Sequence, residues 1–295
     1  MRIIAIGECM VELAPGADDR FAMGFAGDTF NTAWYLRQLL PASDAVDYLT
    51  CVGDDRISAR MVDFMAAEGI GTAHLRRVPG AGVGLYMITL DGAERSFTYW
   101  RSASAARQLA ADGAALDAAL AGAHLAYVSG ITLAILPPGD RARLLSALAR
   151  ARAAGVVLAF DPNMRPRLWP DPGTMRGAIM EAASGMDIVL PSFDEDQAQF
   201  GDETTAATAA RYIGAGAGLV VVKNGAAEVV LRRGSDELRF QPPPAASVVD
   251  TTAAGDSFNA GFLAAHLAGR PLPDCLAQGA ALAARVIGAR GALVR

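Results

Sequence analysis

The feature that most restricts this chain is a recurrence of short, continuously apolar runs of strand length, at Arg2 to Gly7, Leu125 to Ser129, Val156 to Phe160, Asp187 to Leu190 and Leu219 to Val222. A strand with one wet face alternates apolar and polar residues, so unbroken apolarity predicts strands buried on both faces. Between the runs lie Ala-rich, Leu-rich, Arg-bearing segments with helical spacing, Asp140 to Ala153, Thr174 to Ala183 and Thr204 to Ile213, with Gly155 and Gly185 placed as helix stops. Alternation of the two predicts an α/β fold, a parallel sheet with helices on both faces.

Two segments break the rhythm. Met10 to Gly27 has no helical period, and Gly82 to Arg101 reads as two strands around the turn Asp91-Gly92, since Asp-Gly tolerates the positive φ angles of a tight turn. Together they predict a small sheet projecting from the α/β body, placed to act as a lid. Ala118 to Gly139 carries no Asp, Glu, Lys or Arg and is long enough to span a bilayer, but His124, Ser129, Gly130, Thr132 and Pro137-Pro138 make it a helix end, a strand and a loop. Gln241 to Ala246 (QPPPAA) must be an extended connection.

Composition narrows the partners. With 52% hydrophobic and 19% charged residues the chain folds as a globule, and its formal net charge of −5 argues against a nucleic-acid footprint or a polybasic membrane surface. Small molecules are the expected partners. Cys9, Cys51 and Cys275 lie far apart without CxxC spacing, and His74, His124 and His266 lack metal-ligand spacing. A reducing cytoplasm fits, and Glu8 and Glu12 interrupt the apolar start in a way a signal peptide does not.

The strongest local signal is Asp250-Thr-Thr-Ala-Ala-Gly-Asp256-Ser-Phe-Asn-Ala-Gly261, small residues leading into an apolar helix around Phe258 to Leu267. Small side chains bare the N–H groups of a helix N-terminus, which with the helix dipole bind anions, phosphates above all. A carboxylate beside a phosphate is a poor ligand for it, so Asp256 suits a base that takes the proton of a hydroxyl attacking that phosphate. Asp256 as an ordinary helix cap is the other reading. There is no Walker A loop and no GxGxxG after the first strand.

The stretch resembles the signature of the ribokinase-like (PfkB) sugar kinases, usually D-T-x-G-A-G-D, with Ala253 here in place of the first glycine. Alanine leaves its N–H free but narrows the backbone angles. The resemblance covers essentially the whole chain and implies a ribokinase-like three-layer sandwich, one catalytic domain over 1–295, with a small β-sheet lid from about 10–27 and 82–101. Gly24-Phe-Ala-Gly-Asp-Thr-Phe-Asn31 is similar to the family's sugar-binding segment, Ala26 replacing a glycine; by resemblance Gly27, Asp28 and Asn31 contact sugar. An Asp and an Asn can each bridge adjacent hydroxyls, and can equally serve as cap and turn residues.

Gly84-Leu-Tyr86, Tyr99-Trp100-Arg101 and Asp161-Pro-Asn163-Met-Arg165-Pro-Arg167-Leu-Trp169 resemble the 2-keto-3-deoxygluconate kinase branch, as do Gly7-Glu-Cys-Met-Val-Glu-Leu13 and Ser129-Gly-Ile131. That resemblance implies substrate contacts from Tyr86, Tyr99, Arg101, Ile131 and Arg165. An anionic sugar needs a cation, and the arginine fork can pair with a carboxylate bidentately. Hairpin packing for Tyr99 and Trp100, and solvated loop positions for Arg165 and Arg167, are the plain alternatives.

On the nucleotide side, Leu219-Val-Val-Val-Lys223-Asn-Gly225-Ala-Ala-Glu228 resembles the family's V-K-x-G-x-x-G segment near ATP, with Glu228 where glycine is usual. The resemblance places Lys223 and Gly225 near ATP, Asn163 and Arg165 near its phosphates, and Ala253 to Gly255 as N–H donors to the transferred group. Ser192-Phe-Asp194-Glu195 stands where the family often has N-x-x-E, leaving Glu195 as the contact to Mg²⁺ through water; otherwise Asp194-Glu195-Asp196 is a solvated helix start. A substrate-contacting Asp found after Arg-Gly in some members is Ala292 here. The implied activity is ATP-dependent phosphorylation of an acidic keto sugar with Mg²⁺; separately, the open edges of the lid strands offer unpaired N–H and C=O groups through which two copies could pair as a homodimer. A fructokinase-like or broader sugar acid kinase, and a non-catalytic sugar or nucleotide sensor on the same fold, stay open.

Overall fold

The computed structural model describes residues 1–16, 20–91 and 94–295. In chain order its strands are β1 (Arg2–Ile6), β2 (Met10–Pro15), β3 (Phe21–Ala26), β4 (Ala45–Gly53), β5 (Leu75–Val78), β6 (Leu85–Asp91), β7 (Glu94–Trp100), β8 (Leu125–Ser129), β9 (Val157–Asp161), β10 (Ile188–Val189), β11 (Leu219–Val222), β12 (Val229–Arg233) and β13 (Asp236–Phe240). The helices are α1 (Asp28–Leu39), α2 (Arg56–Ala67), α3 (Gly113–Leu120), α4 (Gly130–Ile135), α5 (Pro138–Ala153), α6 (Pro172–Ser184), α7 (Phe193–Phe200), α8 (Thr205–Ala215), α9 (Ala254–Leu267) and α10 (Leu272–Ile287).

Nine strands form the central sheet in the order β13-β12-β11-β10-β9-β8-β1-β4-β5. It is parallel from β11 to β5, with β12 and β13 closing one edge antiparallel. Side chains alternate between faces along a strand, and here both faces are dry. Ile4, Ile6, Val128, Phe160 and Val222 pack with Leu116, Leu144, Ile179 and Tyr212 from α3, α5, α6 and α8. Ile3, Ala5, Tyr127, Ala159 and Val221 pack with Phe30, Met61, Phe262 and Leu276 from α1, α2, α9 and α10. The continuous apolarity of the strands is thus the signature of a sheet covered twice. No helix among the described residues is long and apolar enough to cross a membrane.

The two segments without helical period build a separate four-stranded sheet, β3-β2-β6-β7. β2 and β6 run parallel at its centre, so it is a mixed sheet. Gly92 of the expected Asp91-Gly92 turn lies outside the described residues. One face of the sheet packs through Met10, Ala26, Tyr86 and Ile88 against Ala292, while Tyr99 and Trp100 are half exposed.

Three local expectations are corrected. The loop expected after Ser129 is the short helix α4, its first turn capped by the Ser129 hydroxyl, which accepts from the Thr132 N–H at 3.3 Å. The N-cap of α9 is Ala253 rather than Asp256, which sits inside the first turn. The acidic start of α7 is not wholly solvated: Asp196 is fully buried and accepts from Arg211 at 2.6 Å and from the Tyr212 hydroxyl at 2.8 Å.

Candidate active site

In a parallel sheet the loops leaving the C-terminal strand ends gather on one side, where ligands bind in α/β folds. Here they frame a cavity of about 580 Å³. Gly27, Asp28 and Asn31 reach it from the start of α1, Ile131 from α4, Asn163 and Arg165 from the loop after β9, Glu195 from α7 and Lys223 from the end of β11. Ala253, Ala254, Gly255 and Asp256 line it from the start of α9, and Tyr86, Tyr99 and Arg101 from the small sheet. Gly225 alone of the expected residues is not in its wall; it sits in the turn after Lys223 with φ of 55°. A second cavity of about 580 Å³, beside Phe64 and Leu293, is lined by none of them.

Gly27 brings α1 to the site by close approach. Its backbone is extended, and a Cβ there would stand 2.2 Å from the Glu8 carbonyl oxygen. That contact lets Asn31 face α9, where its Nδ2 donates to Asp256 Oδ2 at 2.8 Å while its Oδ1 accepts from the Gly27 N–H at 3.3 Å. On the opposite wall, Asn163 Nδ2 donates to Asp28 Oδ2 at 2.9 Å.

The α9 N-terminus opens into the cavity without a side-chain cap. Ala253 adopts φ of 59°, the left-handed region that the usual glycine enters freely and alanine enters at about 1 kcal/mol or more. No side chain caps the turn, and the Ala254 N–H turns back to the Thr251 carbonyl at 3.2 Å. The N–H groups of this turn with no protein acceptor among the described residues are those of Ala253, Gly255 and Asp256, so of the three expected donors only Ala254 is engaged within the protein. Asp250 fixes this loop, its Oδ1 accepting from the Thr252 N–H (3.0 Å) and hydroxyl (2.7 Å) and its Oδ2 from the Gly291 N–H (2.7 Å).

Three carboxylates converge here, and burial sets their chemistry. Asp256 is pushed up to about 8, first by burial and then by the charge of Asp28, with Asp161 adding and Asn31 and Lys223 opposing. Asp28 is likewise raised by burial, against the hydrogen bonds of Ser129, the Thr29 N–H and Asn163. A carboxylate titrating near neutrality beside free helix N–H groups can accept a proton from a hydroxyl while the helix steadies an anion.

Both arginines already have carboxylate partners. Arg101 pairs with Glu8, which is almost fully buried and raised by that burial; Tyr86 donates to Glu12 beside it. Arg165 pairs with Glu195, whose Oε2 also accepts the Met164 N–H at 2.9 Å. Glu195 thus braces the Arg165 loop. Glu8, Asp161, Ser192, Thr251 and Thr252 line the cavity without having been singled out from the sequence as site residues. Glu8, Asp161 and Asn259 each stand inside a motif read from the sequence, Asn259 three residues beyond Asp256, but nothing in those motifs marked them as site residues.

A family model described as pfkB family carbohydrate kinase matches residues 1–294. The chain is 39% identical over 301 residues to a 2-dehydro-3-deoxygluconokinase from Escherichia coli (strain K12), covering 99% of this chain and 97% of that one. It is 37% identical to the protein of that name from Haemophilus influenzae, covering 99% and 95%. Among solved structures, a PfkB protein from Polaromonas sp. JS666 superposes with a TM-score of 0.86 at 30% identity, covering 97% of this chain and 95% of that one.

Proposed function

Because the chain belongs to the pfkB family of carbohydrate kinases, we propose that it transfers the γ-phosphoryl group of ATP to the C6 hydroxyl of 2-dehydro-3-deoxy-D-gluconate, giving the 6-phosphate and ADP. The observation that carries this reading is the Asp256 carboxylate, in the first turn of α9 and in one cavity with the arginine and tyrosines of the small sheet.

Asp256, its charged form oriented by Asn31, takes the proton of the C6 hydroxyl. The C6 oxygen bonds to the γ-phosphorus as the bond to the β–γ bridging oxygen breaks, and ADP leaves with that electron pair. The N–H groups of Gly255 and Asp256 stabilise charge on the group in flight. Asp28 and Asn31 bridge sugar hydroxyls, Tyr86 and Tyr99 offer ring faces, and Ile131 packs against carbon. Arg101 and Arg165 serve the substrate carboxylate and the phosphates, and the small sheet closes as a lid that keeps water from the phosphoryl group. Pairing of two copies through that sheet belongs to the same reading, and light scattering tests it.

No group of three acidic, His or Cys side chains that could hold a metal occurs among the described residues. Glu195, a carboxylate in the cavity wall, is the residue that would meet a Mg²⁺ ion carried by ATP, through water. Such an ion would neutralise phosphate charge.

An assay of ADP release over acidic and neutral sugars tests the reading, with turnover on the keto acid expected to exceed that on fructose. The Glu8–Arg101 pair is what favours the second reading, a kinase for neutral sugars, because an arginine already balanced by a buried carboxylate has less to offer an anion. Faster turnover on fructose would establish it.

A further inference from the structure

We propose that Asp161 and Asn259 are positioning residues that hold the Lys223 ammonium at the N-terminus of α9, where it meets the phosphoryl group in transfer. The inference rests on the phosphotransferase reading but not on the identity of the sugar. Lys223 is buried, and a buried ammonium needs partners. Its Nζ donates to Asp161 Oδ2 at 2.9 Å and to Asn259 Oδ1 at 3.1 Å. An ammonium has three donors, so one remains, and Lys223 is in the cavity wall. A Cβ built on Gly255 would stand 3.5 Å from Nζ, which puts the ammonium against a residue whose N–H has no acceptor among the described residues. An anion seated on that N–H lies within reach of the third donor.

The cradle is saturated everywhere else. Asp161 spends Oδ1 on the Asn163 N–H (3.1 Å) and Oδ2 on Lys223 and on Asn259 Nδ2 (2.6 Å). Asn259 also donates to the Tyr127 hydroxyl at 3.0 Å. With both oxygens occupied, Asp161 is poorly placed to act as a second base. Its charge is instead balanced by Lys223, which turns a carboxylate that would repel phosphate into a mount for a donor. Lysine on a free stem loses rotamer entropy when it binds; here that cost is met on folding.

The test compares Lys223→Met, Asp161→Asn and their double variant with wild type, by calorimetry with ADP and a non-hydrolysable ATP analogue, and by turnover. Lys223→Met should weaken the ATP analogue about tenfold while ADP stays within about twofold, and should lower kcat about a hundredfold. Asp161→Asn should lower kcat about tenfold with Lys223 present and less than about twofold in the Lys223→Met background, because its effect passes through the lysine. The double variant leaves neither charge buried alone and serves if Lys223→Met folds poorly. The acid limb of the rate profile, set by Asp256 among Asn31, Asp28, Asp161 and Lys223, should move up in Lys223→Met and down in Asp161→Asn. Equal weakening of ADP and the ATP analogue, additive effects on kcat, or shifts of the same sign would overturn the proposal. Failure of wild type to use the keto acid, with the nucleotide results as expected, would sink the substrate reading alone.

Discussion

The C-terminal edge of the central sheet and the small four-stranded sheet face one cavity but are built in opposite ways. At the edge, Asp161, Lys223 and Asn259 are buried and bonded to one another, and Asp28, Asn31, Asn163 and Asp256 are tied pairwise across α1, α9 and the β9 loop. On the small sheet, Tyr99 is 50% exposed and Trp100 55%, and the polar ties beneath it run through Glu8 and Glu12. Groups that handle charge in the transition state need fixed geometry, which a doubly covered parallel sheet supplies; groups that admit and release a sugar need room to move. On the proposed function the two regions divide chemistry from selection, and each variant below should touch one side of that division.

The largest effect is expected at the rigid edge. Asp256→Asn should lower kcat by about a thousandfold, within the range for a lost general base, while calorimetry still finds sugar binding. Unchanged turnover would remove Asp256 as the base.

On the small sheet the effect should appear as selectivity. Arg101→Met should raise KM for the keto acid about tenfold or more and leave fructose nearly untouched. It also strands the buried Glu8, a loss of about 3 kcal/mol in stability, so Arg101→Met with Glu8→Gln should regain thermal stability without regaining keto-acid affinity. Recovery of both would place the carboxylate contact elsewhere.

The pH dependence separates the regions further. Asp256 is pushed up to about 8 and, as the proposed base, would act only when ionised, so kcat/KM of the free enzyme should fall as pH drops through about 8. Asp28→Asn should move that inflection down by removing a neighbouring negative charge, whereas Tyr99→Phe should not move it. Smallest is Ala253→Gly, which relieves about 1 kcal/mol of left-handed backbone strain but frees the unfolded chain by about 0.5 kcal/mol or more, so melting should change by a few degrees at most.

The two regions also differed in how far the sequence disclosed them. Strands such as Leu219–Val222 announce themselves because burial on both faces leaves no polar positions, and the small sheet was visible as missing helical period. The motif around Asp256 was readable because the N–H groups and the carboxylate of the proposed anion site lie within one turn of chain. Helix α4 was hidden because six residues opening on Gly-Ile-Thr show no period, and its cap, Ser129, is also the last residue of a strand. The Asp161–Lys223–Asn259 cradle and the Glu8–Arg101 pair could not be read locally, since their members are 36 to 98 residues apart and only the sheet order unites them. Arg101 illustrates the cost: its charge suggested a free cation for the substrate, and the fold supplies it with a partner.

The crowding of Asp28, Asp161 and Asp256 has a consequence for how the protein would behave under selection for heat resistance. An aspartate held at about 8 when folded releases its proton at the ordinary value of 3.8 once unfolded, so the stability it allows is lost as pH rises from that value to about 8. At neutral pH an amide at position 256 should therefore melt higher than the native carboxylate. A screen that scored survival of the fold alone would enrich inactive Asp256→Asn chains, and keeping Asp256 in such a screen would require that turnover be scored as well.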